Sequence, residues 1–134
     1  MTDIKLRILK IALFLGGLYF TAAAAAHIVG FKAPGLFVYY NVDSYAYQDK
    51  IIGLLTFGWA GMFFSASHCP VRNYTTMRAI LTAGAAAVLV LAMINLFTDF
   101  HLIAREPNVA GYWLHTGLLS VYLVFVGALW RMVK

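Results

Sequence analysis

The chain is predicted to fold as an all-α integral membrane protein, an antiparallel four-helix transmembrane bundle with its N- and C-termini cytoplasmic. Three observations predict this. The first is composition: of 134 residues 63% are hydrophobic and only 11% charged, with a mean hydropathy of +0.81. Soluble domains carry about a quarter charged residues, so too few are present to coat a surface facing water. The second is spacing. No Lys, Arg, Asp or Glu falls within residues 11–31, 51–71, 79–98 or 107–130, four windows of 20 to 24 residues. At about 1.5 Å rise per residue each can cross a hydrocarbon core of about 30 Å. The third is the distribution of basic residues. Lys5, Arg7, Lys10, Arg72, Arg78, Arg131 and Lys134 fall on one side of these spans, and Lys32, Lys50 and Arg105 on the other. Basic residues concentrate in cytoplasmic loops, which places both ends inside.

One domain is expected, with spans at about 6–29, 46–67, 77–98 and 110–131. Span one stops before Lys32 and the Pro34-Gly35 turn. The outer aromatic loop, 31–45, carries Phe31, Phe37, Tyr39, Tyr40 and Tyr45, with Tyr47 just beyond. Rings with polar tips favour the headgroup level, so this segment should lie on the outer surface and cover part of the bundle. Asn41, Asp43 and Ser44 are candidate caps for span two, which Pro70 ends. Asn73 or Thr75 can cap span three. A polar loop broken by Pro107 leads to span four, with Tyr112 and Trp113 at its outer boundary and Trp130 at its inner one.

Small residues let helices approach closely in lipid. Gly16 and Gly17 on span one lie at the depth of Gly84 and Ala85 on span three; Gly58 and Gly61, and Gly117 and Ser120, offer further small positions. The expected product is a tight bundle without a pore, because charge is absent from the midplane. The first 26 residues also resemble a secretory signal: a basic start, an apolar core, and small residues Ala22 to Ala26. The preferred reading makes those alanines a helix face.

The residues with chemical potential gather near the outer side. His27 ends span one on the face of Gly16, Phe20, Ala23 and Ala24, and His115 lies about as deep in span four with Tyr122 on its side. Asn95 and Asp99 are four apart on span three, and His101 follows. These groups are expected to converge, below Asp43, Asp49 and Glu106. Simple mutual hydrogen bonding accounts for such a cluster, since buried polar groups need partners. Three functional readings stand beside it. His27, Asp99, His101 and His115 offer the imidazole and carboxylate donors of a transition-metal site. His27 and His115 permit axial ligation of a haem or pigment. A quinone or lipid headgroup could sit beneath the aromatic loop on His115 and Tyr122.

Other features carry less. Cys69 excludes an intramolecular disulfide, and beside His68 it lies on the opposite side from the cluster. Asn73-Tyr74-Thr75 matches a glycosylation acceptor on the cytoplasmic side, where it has no meaning. Nucleophile elbows and phosphate-binding glycine loops are missing. The net charge of +5 reflects topology, so nucleic acid is not an expected partner.

The layout resembles small four-helix bacterial membrane proteins of the DoxX-like type. Shared features are the short basic N-terminus, a Pro-containing outer loop after span one, and glycines early in span two, here Gly53 and Gly58. The likeness concerns arrangement alone and carries over no functional residue. A bacterial-type inner membrane, a multi-pass protein, and partners among lipids, other membrane proteins or further copies of the chain are expected. The leading expectation is a non-enzymatic accessory or structural subunit of a larger membrane complex. The alternative is a redox protein binding a haem, pigment, metal or quinone at the outer cluster; a carrier or channel is a third, weaker expectation.

Overall fold

The computed structural model describes residues 2–134, with side chains from Asp3 onward. It is built of α1 (Thr2–Val29), α2 (Ala46–His68), α3 (Tyr74–Phe97) and α4 (Val109–Val133), with a single 3₁₀ turn at Phe100–Leu102 before α4. All four α-helices are long and apolar enough to cross a membrane. Each helix is apolar around most of its circumference, as expected where the surroundings are not water. Leu54, Leu89, Leu96 and Phe97 project outward, Phe97 being 81% exposed.

Helix α1 packs on α2 and α4, and α3 on α4 and α2, which leaves α1 and α3 on a diagonal. The core lies toward the end that carries the termini, where Leu9, Leu13, Phe63, Met77, Ile80, Val126 and Trp130 meet. Trp130 closes this end by donating its indole N–H to Pro70 O at 3.1 Å. Glycines set the tightest approaches, but not between the helices expected from depth alone. A Cβ on Gly16 would collide with Tyr122 Oη of α4 and stand 2.7 Å from Phe63 of α2, and one on Gly17 would meet Phe64 at 2.6 Å. Gly84 is close to Leu123 of α4, whereas Gly58, Gly61 and Gly117 face open space. The small residues of α1 therefore serve α2 and α4, not α3. Ala23, Ala24 and Ala26 are buried on the same helix.

The other end is built from connections. Gly30 terminates α1 with φ +76°, and the Phe31 N–H returns to Ala26 O at 2.8 Å, the wrap of a left-handed glycine cap. Gly35 makes a second such turn at φ +87°. The segment from Phe31 to Tyr45 then folds over the bundle, burying Phe37 and half-burying Tyr39 and Tyr40. Helix α2 starts after Tyr45, whose N–H donates to Gln48 at 3.5 Å. The expected caps are used otherwise: Ser44 donates to the Asp49 carboxylate at 2.8 Å, and Asn41 bonds to Tyr112 and the Glu106 carbonyl. Asn73 does stand at the start of α3, yet its side chain donates to Ser65 O at 2.8 Å and ties the turn back to α2. Asn108 caps α4 by accepting from the Gly111 N–H at 2.9 Å.

Candidate functional site

Antiparallel neighbours bring the C-terminal half of α1 beside the first turns of α4. A cavity of about 490 Å³ lies in that seam, lined by Gly16, Tyr19, Phe20, Gly35, His115, Leu118 and Tyr122 among others. Its size is that of a small-molecule site. Gly16 makes it possible by leaving space for Tyr122, whose hydroxyl donates to Ala12 O at 2.8 Å. A tyrosine in the middle of an apolar helix must find partners, and Tyr19 finds two. Its hydroxyl donates to Gly35 O at 2.8 Å and lies 2.9 Å from His115 Nε2.

A smaller cavity of about 230 Å³ adjoins it toward the loop end, between Pro34–Tyr40 and the start of α4. Gly35, His115 and Leu118 belong to both walls. The two spaces form one groove along α4, narrow and more polar where the 34–40 segment walls it, wide and apolar below where α1 does. Neither wall contains Lys, Arg, Asp or Glu.

The remaining polar residues divide into separate groups instead of converging. His27 is stacked on Phe37 with ring centroids 3.6 Å apart, and its Nδ1 stands 3.8 Å from Asp49 Oδ1. That distance is too long for a hydrogen bond, and Nδ1 has no partner. Asn95, 7% exposed, accepts from Tyr39 Oη and donates to Thr116 Oγ1, both at 3.0 Å; Thr116 in turn donates to Tyr112 O. Asp99 accepts from the His101 N–H at 3.1 Å within its own turn, and both residues are exposed. Of the four residues expected to hold a metal, Asp99 and His101 share one turn while His27 and His115 sit in separate networks, and among the described residues no three His, Cys, Asp or Glu side chains gather in a group suited to one. Equal depth along a helix does not fix direction around its axis, and α1 stands diagonal to α3.

Of the residues named from sequence, His115 and Tyr122 share the groove; His27 and Asn95 flank it in other networks. Tyr19 has no place in that sequence reading of the site, and Tyr40, expected only in the covering loop, lines the smaller cavity. The available signal is the phenolic hydroxyl of Tyr19 in an uncharged span, too far from its own backbone to be satisfied within the helix as Thr21 is by Gly17 O.

Tyr39 anchors the covering loop through its hydrogen bond to Asn95 and its packing on Phe100 and Tyr112, and it does so only as the neutral phenol. Burial, followed by the neighbouring Tyr112, pushes its hydroxyl up to about 12, because a phenolate there would be poorly solvated. The folded-state value is raised above the unfolded one. The stabilisation is therefore complete below pH 10 and is lost as pH rises through 12. A phenolate absorbance titration of the wild type minus Tyr39→Phe should show one residue titrating near 12; a difference midpoint near 10 would contradict the buried anchor.

No family model matches the chain, and no curated protein or solved structure is significantly similar to it. The fold and groove define a class only: a four-helix chain with membrane-length helices and a neutral amphipathic cavity between its first and last helices.

Proposed function

We propose that this is a multi-pass membrane protein that binds a neutral, ring-headed isoprenoid lipid of the quinone class in the seam between α1 and α4. The observation that carries the proposal is the cavity of about 490 Å³ whose apolar wall includes the hydrogen-bonded pair Tyr19 and His115. An apolar pocket with a few directed polar groups is the usual form of a ligand site. A phospholipid suits it poorly, since the wall offers no charged side chain to meet a phosphate. A ring with a hydrogen-bonding edge and an isoprenoid tail matches both the polar upper part and the apolar lower part. Service as an accessory subunit is compatible with such binding, but the ligand reading has a formed site to support it.

Leu118 offers the cleanest test. It borders both cavities and is 61% exposed, so Leu118→Trp should fill the groove without strain in the core. Purified wild type in nanodiscs should bind a tritiated short-tailed quinone at about one per chain. The variant should bind at least roughly tenfold more weakly, a loss of about 1.4 kcal/mol, with unchanged thermal unfolding. Absence of saturable binding by the wild type would end the proposal.

The orientation proposed with it puts the groove's polar mouth outside the cell and both termini inside, supported by seven basic residues against three. Cys69 is exposed at the end carrying the termini. A membrane-impermeant maleimide applied to intact cells should therefore spare it, while labelling Asp43→Cys in a Cys69→Ser background. The reverse pattern would invert the topology.

A further inference from the structure

The hydrogen-bond donors and acceptors around His115 settle which partner its free nitrogen can take. Tyr19 has one hydroxyl proton and two neighbours, Gly35 O at 2.8 Å and His115 Nε2 at 2.9 Å. A carbonyl can only accept. Both contacts are satisfied together in one arrangement: Tyr19 donates to Gly35, and His115 Nε2–H donates to Tyr19. The neutral ring then carries its lone pair on Nδ1, and among the described residues no protein donor meets that atom. Across the smaller cavity Tyr40 Oη accepts from Asn108 Nδ2 at 3.1 Å. Its own proton has no protein acceptor among the described residues. The upper groove therefore presents one unused acceptor and one unused donor, in a wall free of charge.

From this pairing we infer that the groove selects the reduced, hydroquinone form of its ligand over the quinone. A quinone carbonyl only accepts, so it can engage Tyr40 and leaves His115 Nδ1 unpaired. A hydroquinone hydroxyl also donates, and can meet His115 Nδ1. A site built to bond a hydroxyl discriminates against an analogue that lacks the proton, because its own polar atom is then left without a partner. The same preference would apply to an isoprenoid alcohol, but an alcohol lacks the ring and second oxygen that reach Tyr40. The inference rests on the binding site proposed above and adds the chemistry of its headgroup.

The test is competition against a tritiated short-tailed quinone on the full-length protein in phosphatidylcholine nanodiscs, under anaerobic conditions. Competitors are the matching hydroquinone, its dimethyl ether, the unlabelled quinone and farnesol. The hydroquinone should compete roughly tenfold better than the quinone, and the ether and farnesol no better than the quinone. Tyr19→Phe releases the imidazole to carry its proton on either nitrogen and should reduce the preference toward parity. Tyr40→Phe should weaken both competitors alike and leave the preference unchanged, since quinone and hydroquinone oxygens accept equally from Tyr40. Equal competition by quinone and hydroquinone, or an ether as good as the hydroquinone, overturns the selectivity while leaving the site intact. Farnesol matching the hydroquinone overturns the ring-headed ligand. Failure of every compound, unlabelled quinone included, removes the site and the selectivity together.

Discussion

Gly16→Val is expected to be among the most damaging single substitutions in the chain. A Cβ at this position would collide with Tyr122 Oη and lie 2.7 and 2.9 Å from two Phe63 ring atoms. Tyr122 cannot simply withdraw, because its hydroxyl is held by Ala12 O at 2.8 Å, and Phe63 is 3% exposed in the core. Moving a helix residue from glycine to a better former gains up to about 1 kcal/mol. Overpacking costs about 1–3 kcal/mol, and the displaced hydroxyl about 1 kcal/mol more. The loss wins. Unfolding of the variant in mixed detergent micelles should show a destabilisation of about 2–3 kcal/mol, and the groove should lose its ligand because Tyr122 is pushed into it. A variant as stable as the wild type would mean that α1 and α4 are not seated as described.

The matching control is Gly58→Ala. Nothing stands within 4 Å of a Cβ there, so the helix-propensity gain of about 0.5–1 kcal/mol is unopposed. Two glycines that look equivalent in the sequence are thus expected to respond with opposite signs.

That contrast marks where sequence stops being informative. Four helices were legible because gaps between charges measure length, and length is what crossing a bilayer demands. Their ends were less so. Helix α1 begins at Thr2 and runs through Lys5, Arg7 and Lys10, since charge limits burial in lipid without breaking a helix. Facing directions were harder still. In a soluble bundle the polar stripe reveals the outside, but α1 and α3 are apolar on both faces, so no stripe tells which side of Gly16 or Gly84 meets a neighbour. His115 and Tyr122, seven apart on one helix, could be placed on one face by helical period. The pairing of His115 with Tyr19 depends on the rotation of α1 against α4, and no pattern within either helix encodes that. The same gap separated His27 from Asn95, at similar depth but in different networks.

Asn95→Leu is expected to loosen the cover of the groove while leaving the four helices in place. The substitution keeps the volume but removes the acceptor for Tyr39 and the donor to Thr116. Thr116 retains the Tyr112 carbonyl as an acceptor, so its cost is small. Tyr39 is left half-buried with an unpaired hydroxyl, for which about 1–3 kcal/mol is expected. Its packing on Phe100 and Tyr112, with centroids 5.4 and 5.1 Å away, is not enough to offset that. The segment from Leu36 to Ser44 remains tied by Lys32 to Val42 O and by Asn108 to Tyr40, so it should open more often without unfolding. Amide exchange there should quicken roughly tenfold, as about 1.4 kcal/mol implies, while exchange in the core around Leu13 and Ile80 stays unchanged. The Tyr39 hydroxyl should also titrate closer to 10 once water reaches it. Because Gly35, Val38 and Tyr40 line the upper cavity, ligand dissociation should accelerate in parallel. Unaltered exchange over Leu36–Ser44 would show that the loop holds without Asn95, and the groove would then need another explanation for its cover.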